Sequence, residues 1–179
     1  MKSAKQDKRV AILDAAEQRA RTGGYNGFSF RDIAADVGIK SASVHYHFPT
    51  KEELATAIAD RYTARAVEAL GASDGLSEAQ AFDRVASLFV ESNEVDDLMC
   101  LCGLFGAEAA GLPAPLVTQV DGYFDALIDW LSAALTGPDR VQRAELAVAG
   151  LEGALIMSRV RADKQVLRRL KAEIGKSFA

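Results

Sequence analysis

The chain has 179 residues, 49% of them apolar and 26% charged, which supports a packed core and excludes a wholly disordered polymer. The net charge of −4 hides an asymmetry: of 21 basic and 25 acidic residues, 8 and 5 stand in residues 1–50, leaving 13 and 20 for the rest. No apolar run is long enough to span a membrane, the charged start Met1–Arg9 lacks the apolar stretch of a secretory signal, and the two cysteines, Cys100 and Cys102, sit too close together to staple a fold, so a cytoplasmic protein is expected.

Apolar residues recur with helical spacing almost throughout. Residues 8–22 place Ile12, Ala16 and Ala20 on one stripe, which Gly23-Gly24 stops. Ser29 and Asp32 form a capping box that opens a short helix through Asp36, with Ile33 and Val37 inward and Gly38 as the turn. A second short helix is predicted over Lys40–Phe48. Thr50 with Glu53 opens the next, which carries Leu54, Ile58, Arg61 and Tyr62 towards Leu70. The run Gly71–Gly75 is the best junction between parts. Ser77 with Gln80 caps a helix that buries Phe82, Val85, Ala86 and Phe89. A short helix around Leu98–Ala110 stops at Gly111-Leu112-Pro113. The long apolar stretch Ala114–Leu135 ends at Gly137-Pro138. Asp139 with Gln142 opens a helix to about Arg159, and Asp163 opens a last one carrying Leu167, Leu170 and Ile174. No segment alternates with period two for long, so the fold class is all-α with about nine helices.

Residues 29–48 carry the functional signal. Two short helices joined through Gly38 share the inward residues Ile33, Ala34, Val37, Ile39, Val44 and Phe48, the layout of a helix-turn-helix. The outward side of the second helix bears Lys40, Ser41, Ala42, Ser43, His45 and Tyr46. Small side chains let a backbone approach a duplex, and hydroxyls and cations contact phosphates and base edges. Lys51 stands in the first turn of the following helix, where it works against the helix dipole and so has another use. Lys2, Lys5, Lys8 and Arg9 are further candidates for phosphate contacts. The plain alternative is two packed helices that touch no DNA, and periodicity alone leaves both readings open. The basic excess at the N-terminus points the same way as the first, against chance scatter in a small count.

The run RDIAADVGIKSASVHYHFPTKEEL (Arg31–Leu54), with Gly24-Tyr25 before it, resembles the DNA-binding head of the tetracycline-repressor (TetR) family of bacterial transcriptional regulators. The resemblance implies a three-helix helix-turn-helix head over residues 1–50 and a larger helical effector-binding and dimerisation domain over residues 51–179. It assigns Ser29 and Arg31 to the edge of the site and residues 41–46 to the groove, with Ser41, Ser43, His45 and Tyr46 as the main contacts. It places Lys51 on a phosphate, Phe48 in the core, and His47 at the helix end. Two residues depart from the usual pattern: His45 replaces a common Tyr, and Lys40 stands where a capping Ser or Thr is frequent, leaving Ser41 to take over the cap in competition with its DNA role.

The family also implies a homodimer, a double-stranded operator of near-palindromic sequence, and a small, largely apolar effector of unknown identity that releases a repressor. For the dimer, Ala147, Gly150, Ala154 and Ser158 are small residues near four-residue spacing, with Leu146, Leu151 and Leu155 beside them, and Leu167, Leu170 and Ile174 give a second stripe. Packing within one subunit explains these stripes equally well. Candidate pocket walls are Phe82, Phe89, Met99, Phe105, Tyr123, Phe124, Trp130 and Met157, each of which also suits ordinary core; Glu91, Asn93 and Glu108 are candidate polar anchors. The segment CLCGLFGAEAAGLP (Cys100–Pro113) resembles one in a subgroup of these regulators. Two alternatives stand beside the effector reading: a thiol sensor of oxidants or electrophiles through Cys100 and Cys102, and a DNA-binding adaptor controlled by a protein partner. An enzyme is not expected. His45 and His47 are mis-spaced for a metal, Glu52-Glu53 and Asp96-Asp97 are adjacent and splayed, and no phosphate-binding Gly loop or nucleophile elbow occurs, so no cofactor is expected either.

Overall fold

Caps and chain breakers set the helix boundaries. The computed structural model describes residues 2–95 and 97–179, with side chains from Asp7 onward. Asp96 and the side chains of Lys2 and Lys5 therefore lie outside the described residues. Among those described there are nine α-helices and three 3₁₀ turns, and no strand. The helices are α1 (Lys2–Gly23), α2 (Phe30–Val37), α3 (Ser41–His47), α4 (Lys51–Leu70), α5 (Glu78–Glu94), α6 (Leu101–Ala107), α7 (Ala114–Ala134), α8 (Arg140–Arg161) and α9 (Gln165–Gly175). The turns cover Tyr25–Gly27, Ala109–Gly111 and Lys176–Phe178.

Both predicted capping boxes form: Ser29 with Asp32 at α2, and Ser77 with Gln80 at α5. The Thr50 hydroxyl accepts the Glu53 N–H at 3.1 Å at the start of α4. Asp139 holds the N-cap position of α8 without a side-chain bond. The helix expected over Leu98–Ala110 is shorter. Asp97 takes φ 56, and the Leu98 N–H turns back to the Ser92 carbonyl at 3.0 Å, so the chain re-enters helix only at Leu101.

Packing gathers residues 1–62 and 101–121 into one unit and residues 63–100 and 122–179 into another. This differs from a division at residue 50, because α6 and the first part of α7 join the head. In the first unit Ile12 and Ala16 of α1, Ile33 of α2, Val44 of α3, Leu54 and Ile58 of α4 and Phe105 of α6 are fully buried. Each large side chain there contributes about 1.5–3 kcal/mol by leaving water. In the second unit α5, α8 and α9 pack on one another. Gly150 lets α9 cross closely, since a Cβ there would stand 2.8 Å from Ile174 Cδ1.

The apolar stripe read as a dimer face is largely internal. Ala147, Leu151, Ala154, Leu155, Ser158 and Leu167 are buried within one protomer, Gly150 meets Ile174 of the same chain, and Leu170 is half-buried. The exposed apolar residues of α8 are Val141, Leu146, Ile156, Met157 and Val160. Small residues and the leucines beside them turn inward, and a second set of large apolar side chains is left outside.

Candidate nucleic-acid interface

The site is built on α2 and α3. Ser29 closes the start of α2 from both sides: its hydroxyl donates to Asp32 Oδ2 at 2.5 Å and accepts the Asp32 N–H at 3.3 Å. The hydroxyl and the Ser29 N–H, which reaches the same oxygen at 2.9 Å, hold the Asp32 carboxyl below its ordinary range, helped by the nearby Arg19 and Arg31. Gly38 ends the helix at φ 71, a left-handed conformation that glycine adopts without penalty. Its N–H bonds back towards Ala34 and Ala35, and the Ile39 N–H reaches the Ala34 carbonyl at 2.9 Å. This corner aims α3 away from α2.

Lys40 occupies the N-cap position of α3 without a side-chain bond, and Ser41 is the first helical residue. Val44 and Phe48 point inward and are buried. Lys40, Ala42, His45 and Tyr46 are exposed, Ser41 and Ser43 are half-buried, and Tyr46 is 69% exposed. The His45 ring rests edge-on against Phe30, centroids 4.5 Å apart, which fixes its direction. His47 is half-buried and lies edge-on to Tyr46. Arg31 is exposed on α2. Ser29 is exposed too, though its hydroxyl is committed to the cap.

Ion pairs brace this platform from behind. Arg19 of α1 makes a two-pronged pair with Asp36 of α2. Arg61 of α4 reaches Asp14 at 2.7 Å and Glu17 at 2.9 Å on α1. Arg9 lies over the Phe48 ring, 5.0 Å from its centroid.

Lys51 is held in a specific seat. Its ammonium lies 4.6 Å from the centroid of Tyr25 and 4.8 Å from that of Phe28. Partial burial lowers its pKa, against the opposing pull of Glu108 and Asp32. Glu108 accepts the Tyr25 N–H at 2.8 Å and presses on Gly24, where a Cβ would meet its carboxylate at 2.2 Å. Only glycine fits there, at φ 69. Phe105 of α6 packs edge-on against Tyr25. Phe105 and Glu108, read from sequence as pocket residues, thus support the head instead.

These features are those of a DNA-reading head, and the comparisons agree. Residues 12–58 match the family described as bacterial regulatory proteins, tetR family. A TetR transcriptional regulator from Legionella pneumophila shares 28% identity at a TM-score of 0.87, over 94% of this chain and 96% of its own. The chain carries a TetR-family head. A TetR-family regulator from Agrobacterium tumefaciens shares 27% identity, again at 0.87, over 98% and 99% of the two chains. The reduced form of E. coli NemR shares the fold at 20% identity and a TM-score of 0.78, over 96% and 97%. No curated protein matches. The matched TetR-family proteins are transcriptional regulators rather than enzymes, and no helix among the described residues is long and apolar enough to cross a membrane.

The remaining candidates of this chain fall in several places. Phe82 is buried and stacks on Phe178, centroids 4.8 Å apart. Phe89 is buried, and Met99 is half-buried. Tyr123 is buried beside Cys100, with Phe124 edge-on at 5.4 Å. Trp130 donates its ring N–H to the Gly71 carbonyl at 2.7 Å, which ties α7 to the loop after α4. Met157 is exposed on α8 and lines no interior wall. Asn93 accepts the Ser158 hydroxyl at 2.9 Å, a link between α5 and α8, and Glu91 is exposed. Cys100 and Cys102 are both buried. Sequence reasoning missed Glu152, a buried carboxylate on α8. Its signal was a charge at an inward position, between Val148 and Leu155 in the helical repeat.

Proposed function

We propose that this regulator is a homodimeric repressor that acts in the cytoplasm on a near-palindromic operator and is released by a small effector bound in the second unit. The exposed face of α3 carries the reading. Ser41, Ala42, Ser43, His45 and Tyr46 meet base edges and phosphates, with Arg31 and Lys40 at the edge and Lys51 on the backbone. Ser29 acts through the cap that orients α2.

The second copy covers the outer stripe of α8. Leu146, Ile156, Met157 and Val160 recur at helical spacing, and Leu146 is 73% and Val160 83% exposed. Gly153 on the same side leaves open space. Such a stripe is costly to leave in water, and homodimers are usual in the family. Release follows from linkage: the effector must bind the DNA-incompetent state more tightly, and about 1–3 kcal/mol of coupling is typical.

Selection of bound duplexes from a random library, with sedimentation in parallel, tests the proposal. The expected product is a near-palindrome with half-sites roughly 34–36 Å apart or a multiple of it, bound by a dimer. No sequence preference, or tight binding by a monomer, would overturn it.

A further inference from the structure

Glu152 stands where a charge is costly. It lies on the inward face of α8, one turn from Val148 and Leu155, which are both buried, and is itself 9% exposed. Among the described residues, neither carboxylate oxygen has a hydrogen-bond partner in bonding geometry. The neighbour that favours its charged form is the Cys100 thiol, a weak donor. That thiol in turn lies 3.7 Å from the Tyr123 hydroxyl. One buried polar cluster thus joins α8, α7 and the segment ahead of α6.

Other carboxylates of the second unit are well served. Glu78 meets Thr136 and Arg143, Glu94 meets Arg168, and Asp97 meets Arg159 and Lys164. An apolar side chain at position 152 would fill the same space without a desolvation penalty. A buried carboxylate with no donor but a thiol is relieved in two ways, by a proton or by an arriving cation. Burial drives the first and pushes the pKa up to about 7.

We infer that Glu152 anchors an effector subsite for a small molecule carrying a protonated amine or amidine on an apolar body. The inference rests on the effector-regulated reading above and names the class of effector. The cation donates to the carboxylate oxygens, which otherwise meet only the Cys100 thiol. The Tyr123 hydroxyl offers an acceptor in the same cluster, and the buried rings of this unit suit the apolar body. A neutral donor would leave the buried charge uncompensated, so charge is the discriminating property.

Calorimetry at pH 7.5 with methylamine, benzylamine and benzamidine, against benzyl alcohol and benzamide, tests it. At least one cation is expected to bind the wild-type chain saturably and to lose tenfold or more in affinity in Glu152→Gln. The neutral pair is expected not to distinguish the two proteins. No binding by any of the three cations, or equal binding by Glu152→Gln, would overturn the site. If Glu152→Gln does not fold, Glu152→Leu replaces it: a tenfold or greater loss of cation binding supports the site, and binding equal to wild type overturns it. A mobility shift on the selected duplex separates the two readings. Cation binding that leaves the duplex bound keeps the subsite and removes the effector role. Failure to bind any duplex selectively removes the regulator reading and leaves the calorimetric result intact.

Discussion

The two packing units differ in the kind of group each exposes and the kind it buries. In the first, polar side chains of α3 stand in solvent over an apolar core, while Arg19 with Asp36 and Arg61 with Asp14 and Glu17 brace the helices behind. In the second, large apolar side chains of α8 stand outside and a carboxylate that meets only a thiol stands inside. A surface is complete only with its partner. The proposed partners follow this difference: a polyanion for the first arrangement, and an apolar surface and a cation for the second. In the second unit both proposals rest on the cost of leaving a group where it is, whereas the polar face of the first is at ease in water.

The largest expected effect tests the outer face of the second unit. Leu146→Asp with Val160→Asp places two charges on the stripe while leaving the protomer's core alone. Sedimentation is expected to show a monomer. Operator affinity is expected to fall by about 1,000-fold, roughly 4 kcal/mol, because the second head no longer binds intramolecularly. A dimer of wild-type stability would move the interface elsewhere.

Next comes the inner carboxylate, read through pH. The folded pKa of Glu152 is raised from 4.5 to about 7, so the folded chain holds this proton where the unfolded chain has released it. Stability from this group is therefore full below about pH 4.5 and is lost as pH rises through about 7. Relative to Glu152→Gln, the wild-type chain is expected to lose about 3 kcal/mol between pH 4.5 and pH 8. Urea unfolding of both proteins across that range measures it. A flat difference would show that Glu152 finds a donor in solution and would erase half of the contrast.

How much of this was legible beforehand depends on the kind of signal. The caps at Ser29, Thr50 and Ser77 and the turn at Gly38 are local, because donor and acceptor lie within four residues, and each formed as read. The α3 face followed from the same short range. The sidedness of α8 did not follow. Small and large apolar residues both recur at helical spacing, and only the close crossing of α9 at Gly150 decides which stripe turns inward. Phe105 and Glu108 were misplaced for a similar reason: α6 joins the head through contacts with Tyr25 some eighty residues away, which no local pattern encodes. Glu152 was readable in principle, as an acid within the apolar repeat of α8, yet periodicity searches reward apolar residues and pass over the exception.

A smaller effect tests the corner that aims α3. Gly38→Ala puts a Cβ on a residue at φ 71, with open space around it, so backbone strain is the whole cost. Stability is expected to fall by about 1–2 kcal/mol, measured by thermal unfolding. Operator affinity at low temperature, where the head remains folded, is expected to change little. A large affinity loss without destabilisation would mean that the corner, rather than the α3 side chains, sets the reading geometry.

Lys51 gives the smallest and most diagnostic change. Its ammonium sits between the faces of Tyr25 and Phe28, and Glu108 holds that corner through the Tyr25 N–H. A structural lysine and a phosphate-binding lysine both lose something in Lys51→Met, but not the same thing. Loss of the ring contacts lowers stability by about 0.5–1 kcal/mol. Loss of a phosphate contact flattens the plot of log affinity against log salt by about 0.9, equally for every duplex sequence. The expectation is both, with the order of preference among selected duplexes unchanged. Lowered stability at an unaltered salt slope would assign Lys51 to the fold alone and narrow the DNA contact to α3 and its flanks. A change in sequence preference would instead bring Lys51 to a base edge, and the division between helix-borne reading and backbone anchoring in the first unit would have to be redrawn.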